Sequence, residues 1–212
     1  MFEFINIKQN TDEWHNLRCG KATSSNLKVI MANYGKAFGE PAKKYAKQIA
    51  LERITGIKSR SSYTNEAMQR GHDEEPLARM LYEQELFCEV NNGGFFNSDF
   101  VGCSPDGLIG DDGVIEIKSA DSHIHYDRVA KASYDSGYKW QLIGNMKFPE
   151  RQWIDFVSYC SEYPEGQKLY VCRLQASNFA DEYKMIDARI DEFRRLVDDC
   201  EVSIRNSNYF NL

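Results

Sequence analysis

Two charged side chains interrupt the apolar run VIEIK at residues 114–118. Alternate residues of a strand point to opposite faces, so we expect Glu116 and Lys118 to share one face and the two isoleucines the other. Asp106 precedes Glu116 by ten residues, within the turn sequence PDG. The sequence GLIGDDG that follows Asp106 favours a tight hairpin. The spacing therefore predicts that Asp106 and Glu116 lie side by side.

The expected chemistry of this group is metal-assisted hydrolysis. Two neighbouring carboxylates repel each other unless they share a proton or bind a cation. Carboxylate and carbonyl oxygens favour magnesium or manganese over zinc, so Asp106, Glu116 and the backbone carbonyl of Ile117 are candidate metal ligands. Lys118 would orient a water molecule or neutralise developing negative charge. These are the requirements of phosphodiester hydrolysis.

A plainer interpretation of the same residues is a half-exposed strand. An isolated surface pair of Glu and Lys contributes little to stability, and its spacing occurs in many unrelated chains. The turn before Asp106 and the apolar frame of VIEIK favour the nuclease site.

Length and composition indicate one domain. The chain has 212 residues, of which 42% are hydrophobic, enough for one sizeable core. No apolar segment approaches the length of a membrane span, and MFEFINIKQN lacks the features of a signal peptide, so we expect a soluble cytoplasmic protein without a membrane partner. The six cysteines form no C-x-x-C pair, which favours reduced thiols over zinc sites or disulfides.

The charge is unevenly distributed along the chain. The net charge is -6, but residues 1–60 carry eleven Lys or Arg against five Asp or Glu, which leaves fifteen against twenty-seven in residues 61–212. The balances are therefore +6 and -12. A local basic surface for a polyanionic partner is compatible with this distribution.

Periodicity and turn signals predict a mixed α/β order of helices, sheet, helix, strands and helix. Pro76 is expected to kink or restart the helix that contains it. The predicted helices cover about 11–18, 40–56, 65–84, 122–148 with a loop near 135–137, and 181–200, with a further helix start at 23–26. The predicted strands form a meander from residue 95 to residue 119 and a hairpin of 152–160 with 168–174.

Five blocks of the sequence match one family in its order: WHNLRCGKATSSN (14–26), RGHDEEPLAR (70–79), CSPDGL (103–108), IEIKS (115–119) and WQLIGNM (140–146). With these blocks the chain resembles the bacteriophage lambda exonuclease or YqaJ-like viral recombinase family of PD-(D/E)xK nucleases, over residues 10–160. The resemblance implies a single-domain restriction-endonuclease-like fold, with a central mixed sheet flanked by helices. The domain would span 1–212, with its catalytic core at about 10–175.

The resemblance assigns roles in the active site. It implies that Asp106 and Glu116 bind metal and that Lys118 is the catalytic lysine. Glu75 corresponds to a helix carboxylate that joins the metal site at a second ion or through water. An exposed helix glutamate is the alternative for Glu75, since Glu74 is its neighbour. Two Mg²⁺ ions are implied, with Mn²⁺ as a possible substitute.

The family also has a pocket for the 5′-phosphate of a DNA end. By position it corresponds to Arg18, Ser25 and Ser104, with Gln141 as a neighbour. A guanidinium and hydroxyl donors near a helix start suit a terminal phosphate. The alternatives are an Arg18 ion pair with Glu13, a helix cap at Ser25 and a core-edge amide at Gln141.

A further DNA contact is expected in the segment 123–140, which interleaves basic and aromatic residues. A packed amphipathic helix explains that composition equally well. The candidate contacts are Lys131, Tyr138, Lys139 and Trp140. The histidines do not have metal-ligand spacing with the carboxylates and are left out of the expected site: His15, His72, His123 and His125.

The activity implied by the resemblance is a Mg²⁺-dependent 5′ to 3′ exonuclease that acts on double-stranded DNA ends and leaves a 3′ single-stranded tail for strand-annealing recombination. A homo-oligomeric trimeric ring, a single-strand annealing protein as partner and a host cytoplasm for a phage-encoded chain follow from the same likeness. The alternatives are a structure-specific or restriction-type endonuclease, a non-catalytic DNA-end-binding protein, and an α/β protein whose charged strand is only surface.

Overall fold

In the computed structural model, residues 2–59 and 66–207 are described. The predicted start of a helix at Asn65 lies outside them. The helices are α1 (Asp12–Leu17), α2 (Leu27–Met31), α3 (Glu40–Thr55), α4 (Glu66–Leu86), α5 (Ser122–Lys131), α6 (Lys139–Lys147) and α7 (Ala180–Asn206). The strands are β1 (Glu3–Ile5), β2 (Ala22–Thr23), β3 (Asn91–Asn92), β4 (Phe95–Asn97), β5 (Val101–Cys103), β6 (Gly107–Ile109), β7 (Gly113–Ser119), β8 (Trp153–Tyr159) and β9 (Leu169–Gln175).

The strands form two mixed sheets. One has the order β1-β4-β5-β2 and the other the order β3-β6-β7-β8-β9, so the predicted α/β class is confirmed. The predicted meander from residue 95 to 119 is wrong as a single unit, since β4 and β5 belong to the first sheet and β6 and β7 to the second. Pro105, which has no backbone N–H for a sheet ladder, lies in the connection between β5 and β6.

Local sequence signals account for the start of α1 and the end of α3. The Thr11 side chain accepts from the Trp14 amide at 3.2 Å and starts α1. At the C-terminal end of α3, Gly56 adopts the left-handed conformation expected of a cap. The predicted restart at Pro76 is wrong: α4 runs through it. A proline removes one amide from a helix, and the packing of α4 against the second sheet compensates for that loss.

The second sheet has an apolar cluster on each face. Val114 of β7 belongs to the larger cluster, together with Leu27, Leu142 and Phe193 from the helices. Ile115 and Ile117 point the other way and join a cluster that includes Tyr82 of α4. Both faces of β7 are therefore covered. Glu116, between the two isoleucines, is 1% exposed, so the interpretation of the charged strand as surface is wrong.

Two further observations concern the cysteines and the apolar character of the helices. All six cysteines are free thiols. Among the helices of residues 2–59 and 66–207, none combines the length and apolar character that a membrane crossing requires.

Candidate active site

The β6–β7 hairpin brings Asp106 and Glu116 together. Gly107 pairs with Ile115 in the antiparallel register, which sets Asp106 opposite Glu116. The Asp106 amide donates to the Ile115 carbonyl at 3.1 Å, and the Ile117 amide donates to Asp106 Oδ2 at 2.7 Å. The hairpin predicted from the turn residues is confirmed.

Glu116 accepts hydrogen bonds on both carboxylate oxygens. Oε1 accepts from Lys118 Nζ and from Gln141 Nε2, the latter at 2.5 Å. Oε2 accepts from Asn145 Nδ2 at 2.7 Å. These donors fix the orientation of a buried carboxylate from its own strand and from α6.

Asn145 is a site residue that the sequence interpretation missed. It is 0% exposed, and its Oδ1 accepts from Ser24 Oγ at 2.5 Å while its amide nitrogen donates to Glu116. Gly144 permits this approach, because a Cβ atom there would lie 2.5 Å from Leu27 Cδ1. The available signal was the spacing of Gln141 and Asn145, which puts both amides on one helix face.

Helix α4 adds a third carboxylate to the group. Burial and, next, the negative charge of Asp106 raise the pKa of Glu75 to about 7. Lys118 and Arg79 act on Glu75 in the opposite direction. Glu75 is half-buried rather than exposed, and its role at the metal site stays a prediction.

His72, which was left out of the expected site, also lies close to it. Its charge acts to lower the pKa of Asp106, although burial raises that pKa overall. His72 and Glu75 are three residues apart on α4, a spacing that places them on one helix face. His72 therefore influences the site electrostatically, and its exclusion as a metal ligand stays a prediction.

The group contains more carboxylate charge than its ammonium balances. Burial, and then Asp106, raise the pKa of Glu116 to about 7. Burial acts to lower the pKa of Lys118, but Glu116 and Asp106 outweigh it and raise that pKa above its usual value. Three acids thus compete for the charge of Lys118, which is the electrostatic condition that an added cation relieves.

The oxygen donors of this group suit Mg²⁺, which needs fewer protein ligands than a fully enclosed metal site provides. Within the described parts of the chain, no group of three or more His, Cys, Asp or Glu side chains is arranged to hold a metal ion. Asp106 and Glu116 supply two carboxylates, which is how Mg²⁺ is usually held, with water and substrate phosphate completing its shell. The residues therefore fit a hard divalent ion, and no Cys or His zinc set is needed.

A second polar group surrounds Arg18. Arg18 Nη2 donates to Ser25 Oγ at 3.2 Å, and the guanidinium carbon lies 4.1 Å from the centre of the Trp14 ring. Trp14 Nε1 donates to Ser104 Oγ at 2.8 Å. Arg18 therefore contacts both Ser25 and Trp14, and Trp14 in turn connects Arg18 to Ser104.

A cleft of about 1150 Å³ opens beside the Arg18 group. Trp14 and Arg18 line it on the side of α1, and His72 lines it on the side of α4. His72, on that side, also acts on the pKa of Asp106.

The other predicted contacts are distributed differently. Gln141 lies on Glu116, so its role at a phosphate stays a prediction. Lys118 Nζ is 5.4 Å from the ring centre of Tyr138, which brings Tyr138 to the carboxylate group. Lys139 pairs with Glu182 of α7 at 3.0 Å. Trp140 packs against the larger core cluster, and Lys131 is exposed on α5.

Comparison with known proteins places these residues in a family. A model of the YqaJ-like viral recombinase domain matches residues 13–152. That range includes Arg18, Glu75, Asp106, Glu116 and Gln141. No curated protein matches the sequence.

Solved structures share the fold along most of the chain. An alkaline exonuclease, LHK-Exo from Laribacter hongkongensis, is 28% identical, with a TM-score of 0.77 over 92% of this chain and 98% of its own. The same protein in complex with dAMP gives a TM-score of 0.78 with the same identity and coverage. A phage-related exonuclease from Haemophilus somnus 129PT is 18% identical, with a TM-score of 0.68 over 90% of this chain and 99% of its own; it supports the fold alone.

Proposed function

The chain belongs to the YqaJ-like viral recombinase domain family, and from that premise we propose that it is a Mg²⁺-dependent 5′ to 3′ exonuclease acting on double-stranded DNA ends. The observation that carries the proposal is the pair of half-buried Asp106 and buried Glu116, both raised in pKa, with Lys118 bonded to Glu116. The likeness to an alkaline exonuclease at 28% identity supports nuclease chemistry on this fold.

In this proposal Asp106, Glu116 and the Ile117 carbonyl hold Mg²⁺, with Glu75 at a second ion or reached through water. When bound, the metal lowers the pKa of water and neutralises charge on the phosphate. Mn²⁺ has the same ligand preferences and is a substitute. Gln141 and Asn145 keep the Glu116 carboxylate oriented through their hydrogen bonds.

Lys118 supplies positive charge beside the reacting phosphate. Its ammonium contacts Glu116, and from this position Nζ would donate to the attacking water or to a phosphate oxygen. Donors held ready where negative charge develops are among the largest contributions to catalysis.

The polarity of digestion is assigned to the Arg18 group. The Arg18 guanidinium lies beside the Ser25 hydroxyl, and the Ser104 hydroxyl is bound to the neighbouring Trp14; such donors offer charge-assisted hydrogen bonds to a terminal 5′-phosphate. Arg18 lines a cleft together with His72, which acts on Asp106, and in this proposal a phosphate held at Arg18 positions the following phosphodiester for cleavage. LHK-Exo binds dAMP, a mononucleotide, as expected of an enzyme that removes single nucleotides.

The remaining parts of the proposal concern assembly and use. The digested duplex is left with a 3′ single-stranded tail, which is the substrate of strand annealing. A homotrimeric ring with basic residues inside would let an acidic chain encircle DNA, and an annealing protein would receive the tail. The proposal also includes a cytoplasmic location and a single domain over residues 1–212.

The test uses linear duplex DNA labelled at either end, with and without a 5′-phosphate, in Mg²⁺ and in EDTA, beside closed circular duplex. The expected result is Mg²⁺-dependent loss of the phosphorylated 5′ end with the circle intact. A cut circle would support the endonuclease alternative. Binding of DNA ends without cleavage in Mg²⁺ would support a non-catalytic protein.

A further inference from the structure

Another buried carboxylate, Glu52 of α3, lies behind the wall of the cleft. Glu52 is 1% exposed. Oε2 accepts from the Gly20 amide at 2.9 Å and from Lys58 Nζ at 2.8 Å. Oε1 accepts from Gln48 Nε2 at 3.0 Å and from the Ser59 amide at 3.1 Å. Glu52 thus connects α3 with two separate loops.

The first of these loops carries the Arg18 group. Gly20 follows Arg18 by two residues, adopts a φ of +71°, and would place a Cβ atom 2.6 Å from Arg53 Cγ. The loop therefore lies tightly on α3. Two turns earlier in α3, Tyr45 accepts from the Thr23 amide and donates to the Lys21 carbonyl, both at 3.2 Å. Helix α3 holds the segment between Arg18 and Ser25 at two points.

The second loop carries Lys58, whose side chain is 23% exposed and lines the same cleft as Arg18. Its ammonium lies 2.9 Å from Oε1 and 2.8 Å from Oε2 of Glu52. An unpaired carboxylate behind an anion site would repel a phosphate. The pairing cancels that charge and keeps Lys58 at the cleft.

The bonding pattern favours a carboxylate over an amide at this position. Burial acts to raise the pKa of Glu52, but hydrogen bonds from Gln48, Lys58 and the Gly20 amide outweigh it and lower that pKa. A glutamine has one side-chain oxygen and no charge. Its oxygen can accept from the Gly20 amide, as Oε2 does, or from the Ser59 amide, as Oε1 does, and the other backbone amide then faces its NH2 group.

We propose that Glu52 is a positioning residue for the 5′-phosphate pocket, holding the Arg18–Ser25 segment through Gly20 and holding Lys58 at the cleft. The inference rests on the proposed function, because it takes the Arg18 group as the phosphate site. It adds a residue that touches no substrate and yet sets the preference for a phosphorylated end.

The test is a comparison of binding rather than of activity. Fluorescence anisotropy in EDTA measures the affinity for a duplex end with a 5′-phosphate and for the same end with a 5′-hydroxyl. We expect the wild-type protein to prefer the phosphate by about tenfold, as one charge-assisted hydrogen bond provides. In Glu52→Gln the ratio should fall to near one. Glu40→Gln, an exposed acid of the same helix, is the matched control and should keep the wild-type ratio.

The outcomes separate this inference from the proposed function. A wild-type preference that persists in Glu52→Gln overturns the role of Glu52 and leaves the exonuclease proposal standing. A wild-type protein without any preference overturns the phosphate pocket and the inference together, while the end-labelled digestion still decides whether the chain cleaves DNA.

A second variant covers the case in which Glu52→Gln does not fold, as judged by thermal unfolding. Lys58→Gln removes the counter-charge and leaves Glu52 with the Gly20 amide. We expect the ratio to fall by about threefold, part of the effect of one charged hydrogen bond. An unchanged ratio in Lys58→Gln overturns the inference.

Discussion

Two fully buried acids on neighbouring strands have opposite environments. Glu116 of β7 is 1% exposed and Asp155 of β8 is 0% exposed. Ile115 pairs with Asp155, and Glu116 pairs with Phe156. Because side chains alternate along a strand, this one-residue offset sends the two acids to opposite faces of the same sheet.

Asp155 is fully paired by its surroundings. Arg173 Nε and Nη2 each donate to one of its oxygens at 2.7 Å, and the Tyr82 hydroxyl donates to Oδ2 at 2.5 Å. The guanidinium stacks on Trp153 at 3.7 Å. Burial, and then the bond to Asp155, raise the pKa of Tyr82 above its usual value, so Tyr82 stays a donor.

Glu116 shares its cation with other acids. Asp106 and Glu75 both draw on Lys118, and the pKa of Glu116 is raised to about 7. Burial alone therefore does not distinguish the two carboxylates. The ratio of cations to carboxylates distinguishes them. One guanidinium pairs with one acid at Asp155 and stabilises the fold. One ammonium faces three acids at Glu116, which leaves a deficit of positive charge that a divalent ion can fill.

The largest expected effect is on stability at Asp155. Asp155→Ala leaves the buried Tyr82 hydroxyl and the Arg173 guanidinium without their partner; because Arg173 is 45% exposed and can be solvated, the expected cost is about 3 kcal/mol. Chemical denaturation should show this loss, while cleavage per folded molecule remains. Asp111→Ala, an exposed acid at the β6–β7 turn, is the control and should unfold as the wild type does. Equal stability of the two variants would contradict the structural role of Asp155.

The next effect is on turnover at Lys118. Lys118→Ala should lower single-turnover cleavage by about 10²–10³, the range for removal of one charge-stabilising donor. The variant should still bind Mg²⁺ and duplex ends. Normal turnover would remove Lys118 from the mechanism and erase the contrast between the two acids.

A smaller effect is expected at Arg18. Arg18→Ala should reduce the preference for phosphorylated over hydroxyl 5′ ends by about tenfold, the contribution of a charged hydrogen bond. The preference is measured as the ratio of the cleavage rates for the phosphorylated and the hydroxyl 5′ ends. Arg151→Ala, which removes a guanidinium bound to the Gly110 carbonyl, is the control. A ratio that is unchanged in Arg18→Ala would argue against this pocket.

The smallest effect concerns His125, a third buried ionisable group. Burial lowers its pKa, and its ring contacts Ser158 Oγ at 3.0 Å and the Gln167 carbonyl at 3.2 Å. The unfolded chain takes up a proton as the pH falls through about 6.5, and the folded chain resists it. The stability that His125 contributes is therefore present above that pH and lost below it.

Denaturation at pH 7.5 and 5.5 measures this dependence. His125→Gln should lose less stability between the two values than the wild type does, by about 1 kcal/mol or less. His123→Gln, an exposed residue of the same helix, should behave as the wild type. A wild-type slope in His125→Gln would contradict the account of His125.

Local signals predicted the hairpin and its acids, because the PDG turn and the strand alternation act within about fifteen residues. Contacts across longer separations were not predictable in the same way. Asn145 reaches Glu116 across 29 positions of the sequence, and Ser24 reaches Asn145 across 121. The placement of Gln141 on Glu116 and the approach of His72 depend likewise on how α6 and α4 pack. The sequence WIDFV resembles VIEIK, so pattern alone does not tell which buried acid is structural.

The most direct test of the contrast is a calorimetric titration with Mg²⁺ in the absence of DNA, on the wild type, Glu116→Gln and Asp155→Asn. We expect a binding heat in the wild type that disappears in Glu116→Gln and persists in folded Asp155→Asn. Binding in Glu116→Gln equal to that of the wild type would contradict the assignment of the Asp106–Glu116 pair as the metal site.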